Sequence, residues 1–144
     1  MGEEFRFTCR AVMLRCIDFR LNEAILAWLK ERGLEADCDT VGMAGAARNL
    51  ASPAAPSDRE FVLKQLDIAR KLHDIKEVIL MNHTDCGAYG RRAAFSSDSA
   101  ERKAHEEDLR MAKEIVIAAL PEVTVRKALA QVYASGKVEV REIP

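Results

Sequence analysis

Apolar runs alternate along the chain with amphipathic stretches. Ala11-Val12-Met13-Leu14-Arg15-Cys16 is a short apolar run and predicts a first strand. From Asn22 to about Arg32, the residues Ile25, Leu26, Trp28 and Leu29 form one broad stripe. That stripe predicts a helix lying on a sheet, capped by Asn22 and stopped by Gly33. Ala36 to Val41 predicts a second strand, and Gly42-Met43-Ala44-Gly45-Ala46-Ala47 a loop of small residues. Pro53 and Pro56 exclude regular structure around themselves, and Ser57 or Asp58 then caps a longer helix through about Leu72. Its apolar positions are Phe61, Leu63, Leu66, Ile68, Ala69 and Leu72. Glu77-Val78-Ile79-Leu80-Met81 is continuous and apolar, the pattern of a strand buried on both faces. A loop covers residues 83 to 90, a polar connection Ser96 to Ser99, and a further helix runs from about Glu101 to Ala119, where Pro121 stops it. Val123 to Val132 and Lys137 to Ile143 close the chain as a hairpin around Ala134-Ser135-Gly136.

The order βαβαβαββ predicts an α/β fold: a mostly parallel central sheet flanked by helices, with an antiparallel C-terminal edge hairpin. In such sheets ligands sit beyond the carboxyl ends of the strands. Cys16 ends the first predicted strand, Gly42 follows the second and His83 follows the third, so the unusual residues fall on one rim.

Bulk properties narrow the options further. At 144 residues the chain suits one domain, residues 1–144, with one core. A net charge of −1 gives no basic field for nucleic acid or anionic lipid, and 6% aromatic residues give little surface for stacking bases. No apolar run reaches the roughly 20 residues that span a bilayer. The start, Met1-Gly2-Glu3-Glu4-Phe5-Arg6, has no signal-peptide core, so a cytoplasmic location is expected. In a reducing compartment the four cysteines read as thiols or metal ligands rather than disulfides. Cys9 and Cys38 read as small buried hydrophobes.

Cys16 and Cys86 have more informative neighbours. His83-Thr84-Asp85-Cys86 places an imidazole and a thiol three residues apart on a tight turn, where both can reach one ion. In Cys16-Ile17-Asp18-Phe19-Arg20, read as extended chain, residues 16, 18 and 20 face one side and line the same rim. Cys16, His83 and Cys86 then make a Cys2His set whose fourth position is left to water or Asp18. Three protein ligands with an open position mark a catalytic zinc site.

The two segments are similar to the Cys-x-Asp-x-Arg and His-x-x-Cys-Gly motifs of the β-class carbonic anhydrases, in the same order. Ala44-Gly45 resembles the Ala-Gly of that family's Arg-Asn-Ala-Gly segment, with Gly42-Met43 standing where the family has Arg-Asn. The resemblance implies Zn2+ on Cys16, His83 and Cys86, with Asp18 and Arg20 as a dyad in which Arg holds Asp off the metal. It implies reversible hydration of carbon dioxide to bicarbonate by hydroxide on the zinc, with Ala44, Gly45 and Gly87 beside the small-molecule substrate. It also implies a homodimer or a multiple of one.

Two alternatives stay open: a zinc hydrolase of carbonyl sulfide or carbon disulfide, and a non-enzymatic zinc-stabilised binding domain. A nucleotide site is disfavoured, since Gly42-x-x-Gly45 is neither GxGxxG nor a P-loop. Among the remaining residues, Trp28 reads as core and His73 as a structural cation at a helix end. Tyr89 either lines the pocket mouth or packs. His105, inside the charge run Glu101 to Asp108, reads as part of one solvated helix face.

Overall fold

A computed structural model describes residues 2–144. Five strands form one sheet: β1 (Ala11–Arg15), β2 (Cys38–Gly42), β3 (Glu77–His83), β4 (Thr124–Val132) and β5 (Val138–Ile143). They lie in the order β2-β1-β3-β4-β5. Strands β2, β1, β3 and β4 are parallel, and β5 runs antiparallel to β4 at the edge. Four helices join them: α1 (Asn22–Glu31), the short α2 (Arg48–Ala51), α3 (Pro56–His73) and α4 (Asp98–Ala119). The expected α/β architecture with its terminal hairpin is therefore the one observed.

Burial explains why the central strands read as unbroken apolar runs. Ala11 to Leu14 of β1 and Val78 to His83 of β3 are all buried, because helices cover both faces of the sheet. α1 contributes Ile25, Trp28 and Leu29 to the core, and α3 contributes Val62, Leu66 and Ala69. Leu26, Phe61 and Leu72, read as part of the apolar stripes, stay exposed at the stripe margins.

Several boundaries differ from the sequence reading, each for a local reason. β1 ends at Arg15, and the chain does not continue extended through Arg20; Phe19–Leu21 is a single 3-10 turn. Asp18 caps that turn, accepting a hydrogen bond from Arg20 N at 2.9 Å, and Asn22 is the first residue of α1 rather than its cap. Pro56 opens α3 instead of excluding it, since the first helical position needs no N–H. Asp58 lies in the first turn and accepts from Ala55 N at 3.3 Å. β2 begins at Cys38, two residues after the expected Ala36. α4 starts at Asp98 because Ser97 Oγ caps it through Ala100 N. Cys9 and Cys38 are half-buried, at the sheet margin rather than in the core.

Strand register sets the functional end of the sheet. Arg15 pairs with Gly42, Leu14 with Leu80, and His83 with Ala130. The segments after β1, β2 and β3 thus leave the sheet along one rim.

Candidate metal centre

At the end of β1 the Arg15 guanidinium bonds Cys16 O at 2.7 Å and Asp18 O at 2.9 Å, which folds the chain sharply after the strand. Cys16 is thereby turned inward and 4% exposed. Arg20 folds back onto Asp18: Nε lies 3.1 Å from Oδ1 and Nη2 2.8 Å from Oδ2. The same guanidinium reaches across to Asp85, with Nη1 3.0 Å from Oδ2 and Nη2 3.0 Å from the carbonyl oxygen. One arginine therefore joins the segment after β1 to the segment after β3. Its hydrogen bonds hold the Asp18 carboxyl down at about 2, and Asp18 in turn raises Arg20.

His83 is the last residue of β3 and is buried. Its Nδ1 lies 2.7 Å from Thr84 O. A carbonyl only accepts, so Nδ1 is the donor there and Nε2 is the nitrogen left to face the cluster. That Nε2 is buried and has no hydrogen-bond partner among the described residues. It faces Asp18 Oδ2 at 3.7 Å. The thiols of Cys16 and Cys86 lie 3.9 Å apart, and the donor atoms of Cys16, His83 and Cys86 all fall within 4.8 Å of one another. The hydrogen bond from Cys86 draws Cys16 down to about 3, and the same bond pushes Cys86 up. The N–H of Gly45 also supports the Cys16 sulfur, and those of Ala88 and Tyr89 support Cys86.

These residues fit a tetrahedral, borderline-soft divalent cation. Two sulfurs at roughly 2.3 Å from such an ion stand roughly 3.8 Å apart, close to the observed separation. An unpartnered ring nitrogen in the core costs on the order of 1–3 kcal/mol, which a ligated cation would relieve.

The small-residue loop after β2 packs under this cluster. Gly45 has φ +83, and a Cβ placed on it would lie 3.0 Å from Ala88 Cβ, so glycine lets the two loops close on each other. Gly45 is buried, while Ala44 and Gly87 are exposed. The sequence reading did not anticipate α2, whose approach is tied down by a hydrogen bond from Ala47 N to Asn82 Oδ1 at 3.0 Å.

A surrounding layer of polar residues was also missed. Glu101, 1% exposed, accepts from Asp85 N at 2.7 Å and holds that residue in its left-handed conformation, φ +53. Thr84 is stitched to β4 through Thr84 N to Ala130 O at 2.9 Å and Val132 N to Thr84 Oγ1 at 2.8 Å. Asn82 Nδ2 donates to Tyr89 OH at 2.9 Å and to His105 Nδ1 at 3.0 Å, and Tyr89 OH donates to Asp108 at 2.6 Å. The solvated-face reading of residues 101–108 is therefore wrong at Glu101 and His105, which α4 turns into the protein. Burial, helped by the nearby His83, lowers His105 to about 4. Tyr89 packs on the His105 ring at a centroid distance of 4.3 Å.

A sheet of this order with a Cys-His-Cys cluster at its carboxyl rim defines a carbonic anhydrase-like protein. The chain belongs to the family whose model, described as "Putative carbonic anhydrase", matches residues 6–143. Its fold is that of the β class. The crystal structure of β-carbonic anhydrase isoform I from Trichomonas vaginalis superimposes with a TM-score of 0.60 at 12% identity, covering 97% of this chain and 86% of that one. An uncharacterized protein of Rickettsia bellii is 32% identical over 79% of this chain and 71% of its own length. Another, from Rickettsia conorii, is 28% identical over 92% of this chain and 73% of its own length.

Proposed function

We propose that this protein is a zinc-dependent carbonic anhydrase, reversibly hydrating carbon dioxide to bicarbonate, with the metal on Cys16 Sγ, His83 Nε2 and Cys86 Sγ. The observation that carries the reading is the unpartnered His83 Nε2, buried between two thiols and beside an arginine-anchored carboxylate. When bound, zinc supplies Lewis acidity that brings the ionisation of water to about pH 7.

The chain's own residues do the rest. Asp18, kept ionised by Arg20, is an acceptor only; it would accept a hydrogen bond from a hydroxyl at the centre and so orient that oxygen's lone pair toward the substrate carbon. Arg20 holds both Asp18 oxygens through its own donors, which keeps the carboxylate from joining the ligand set. Asp85, fixed by Glu101 and by Arg92 N, in turn fixes Arg20. Ala44, Gly45 and Gly87 leave room for a small linear substrate. Ile17 and Phe19, 66% and 80% exposed beside the centre, support a homodimer that covers them. Thiol ligands suit a reducing compartment, which supports a cytoplasmic location.

Stopped-flow hydration and elemental analysis test the reading together. Zinc-loaded protein should hydrate carbon dioxide, a chelator should abolish the activity, and Cys86→Ala should hold one zinc fewer per chain than the unmodified protein. Equal zinc in both would exclude this ligand set. Sulfide release from carbonyl sulfide, with no hydration, would move the reading to that substrate.

A further inference from the structure

The opposite rim of the sheet carries a second convergence of donors. Cys9 precedes β1, Asp39 lies in β2, and His73 is the last residue of α3. One ligand atom from each falls within 4.8 Å of the others. His73 Nδ1 lies 2.6 Å from Asp39 Oδ2. Cys9 is locked to the helix end by a hydrogen bond from its N to His73 O at 3.0 Å. Asp39 is brought alongside by the pairing of Val12 with Asp39 across β1 and β2. Seven residues of chain separate Cys9 from Cys16, roughly 23 Å when extended, so this cluster is remote from the centre described above.

We infer that Cys9, Asp39 and His73 form a second metal site, for a borderline-soft divalent transition cation such as zinc. An ordinary helix-end ion pair needs only His73 and Asp39; it does not explain a thiol held at the same point by its own backbone. Thiolate, imidazole and carboxylate together select zinc-like ions over magnesium or calcium. The negative end of the α3 dipole favours a cation there. The cluster opens on a cavity of about 240 Å³ bordered by Thr8, Glu35 and Cys38, giving the ion a way in and room for a water as fourth ligand. On binding, the Cys9 thiol gives its proton to solvent, and the proton that His73 Nδ1 donates to Asp39 leaves that nitrogen, so that the imidazole ligates with its other nitrogen protonated. The bound ion would staple the segment before β1 and the end of α3 to the edge strand β2.

Cobalt(II) tests this as a spectroscopic probe. Full-length protein is stripped with chelator under reductant and titrated while thiolate-to-cobalt charge-transfer absorption is followed. Cys9→Ser should take up one cobalt fewer per chain than the unmodified protein and lose part of the charge-transfer intensity. His73→Gln, at a half-exposed position, should lose the same equivalent independently of the thiol. Cys86→Ala should retain the equivalent that Cys9→Ser loses, so the result does not depend on the carboxyl-rim centre. Circular dichroism checks that each variant is folded. The same cobalt stoichiometry in folded Cys9→Ser, folded His73→Gln and unmodified protein overturns the site.

Discussion

Cys9 precedes β1 and Cys16 follows it, so one short strand carries similar donors to two rims of the sheet in unlike surroundings. At the carboxyl rim, Cys16, His83 and Cys86 are all buried, and the loops that hold them are cross-braced by Arg20, Asp85, Glu101 and Asn82. At the amino rim, Cys9, Asp39 and His73 are half-buried and tied by a single backbone hydrogen bond and one ion pair. Burial makes the difference chemical. In the core, an Nε2 without a hydrogen-bond partner among the described residues and two thiols 3.9 Å apart leave few ways to satisfy the site other than a cation. At the surface, water can satisfy the same donor types. The carboxyl rim is therefore built for a fixed function, and the amino rim for a dispensable or adjustable one.

The largest effect should come from removing a carboxyl-rim ligand. Cys16→Ser or Cys86→Ala should lower carbon dioxide hydration well beyond the ~10–100-fold of a change in the surrounding shell, with one zinc lost per chain. Comparable activity in either variant would erase the distinction between the rims. Next, Arg20→Ala should keep its zinc and lose roughly 10–100-fold in hydration, because Asp18 is then free to close on the metal. Crystallography of the variant should show Asp18 at the metal, and a wild-type rate would reduce the dyad to surface decoration.

A smaller effect should appear in acid. His105 is buried against Tyr89, Phe95 and Asn82, with Asp108 bonded to Tyr89 and Glu101 one turn earlier on α4. Burial holds its pKa at about 4 in the folded protein, against 6.5 for an ordinary histidine. Between those values the unfolded chain takes up a proton that the folded one refuses, so stability falls as pH drops from about 6.5 toward 4. The loss should approach roughly 3 kcal/mol at the lower end. Urea unfolding of the unmodified protein and His105→Gln across that range reads the difference; equal slopes would mean that the ring is not held neutral.

The smallest contrast pairs two glycines, one near each rim. Gly45→Ala and Gly33→Ala both force a left-handed residue to carry a Cβ, at ~1–2 kcal/mol. Only Gly45 also drives that Cβ against Ala88 at 3.0 Å, whereas Gly33 faces open space. Thermal melts should show Gly45→Ala as the less stable of the two, and equal melting would show that the carboxyl-rim loops yield.

The order of elements along the chain was legible because β1 and β3 are apolar along their length, Gly33 follows α1 and Pro121 follows α4. The convergence of Cys16, His83 and Cys86 was legible for a different reason: both halves are short motifs whose residues are local in sequence. Its supporting layer was not. Glu101 and His105 sit in a run of charged residues, and nothing in that run says which face of α4 meets Asp85 and Asn82. The cap at Asp18 was obscured in the same way, since the alternation Cys-Ile-Asp-Phe-Arg fits a strand as well as a turn. What separates them is the Arg15 guanidinium bonding two carbonyls behind it, a contact that exists only once the chain has turned.

The placement of β1 between β2 and β3 also has a consequence in time. Cys16 and Cys86 are 70 residues apart in sequence. At about 5–20 residues per second of synthesis, Cys16 waits on the order of 4–14 s before Cys86 is made, and β1 has no inner partner until β3 follows. A cation met by the lone thiol in that interval finds neither the imidazole nor the second sulfur. Under the proposed reading, selection of the metal falls to the closed sheet, through the spacing of its donors, and not to whichever ion the growing chain encounters first.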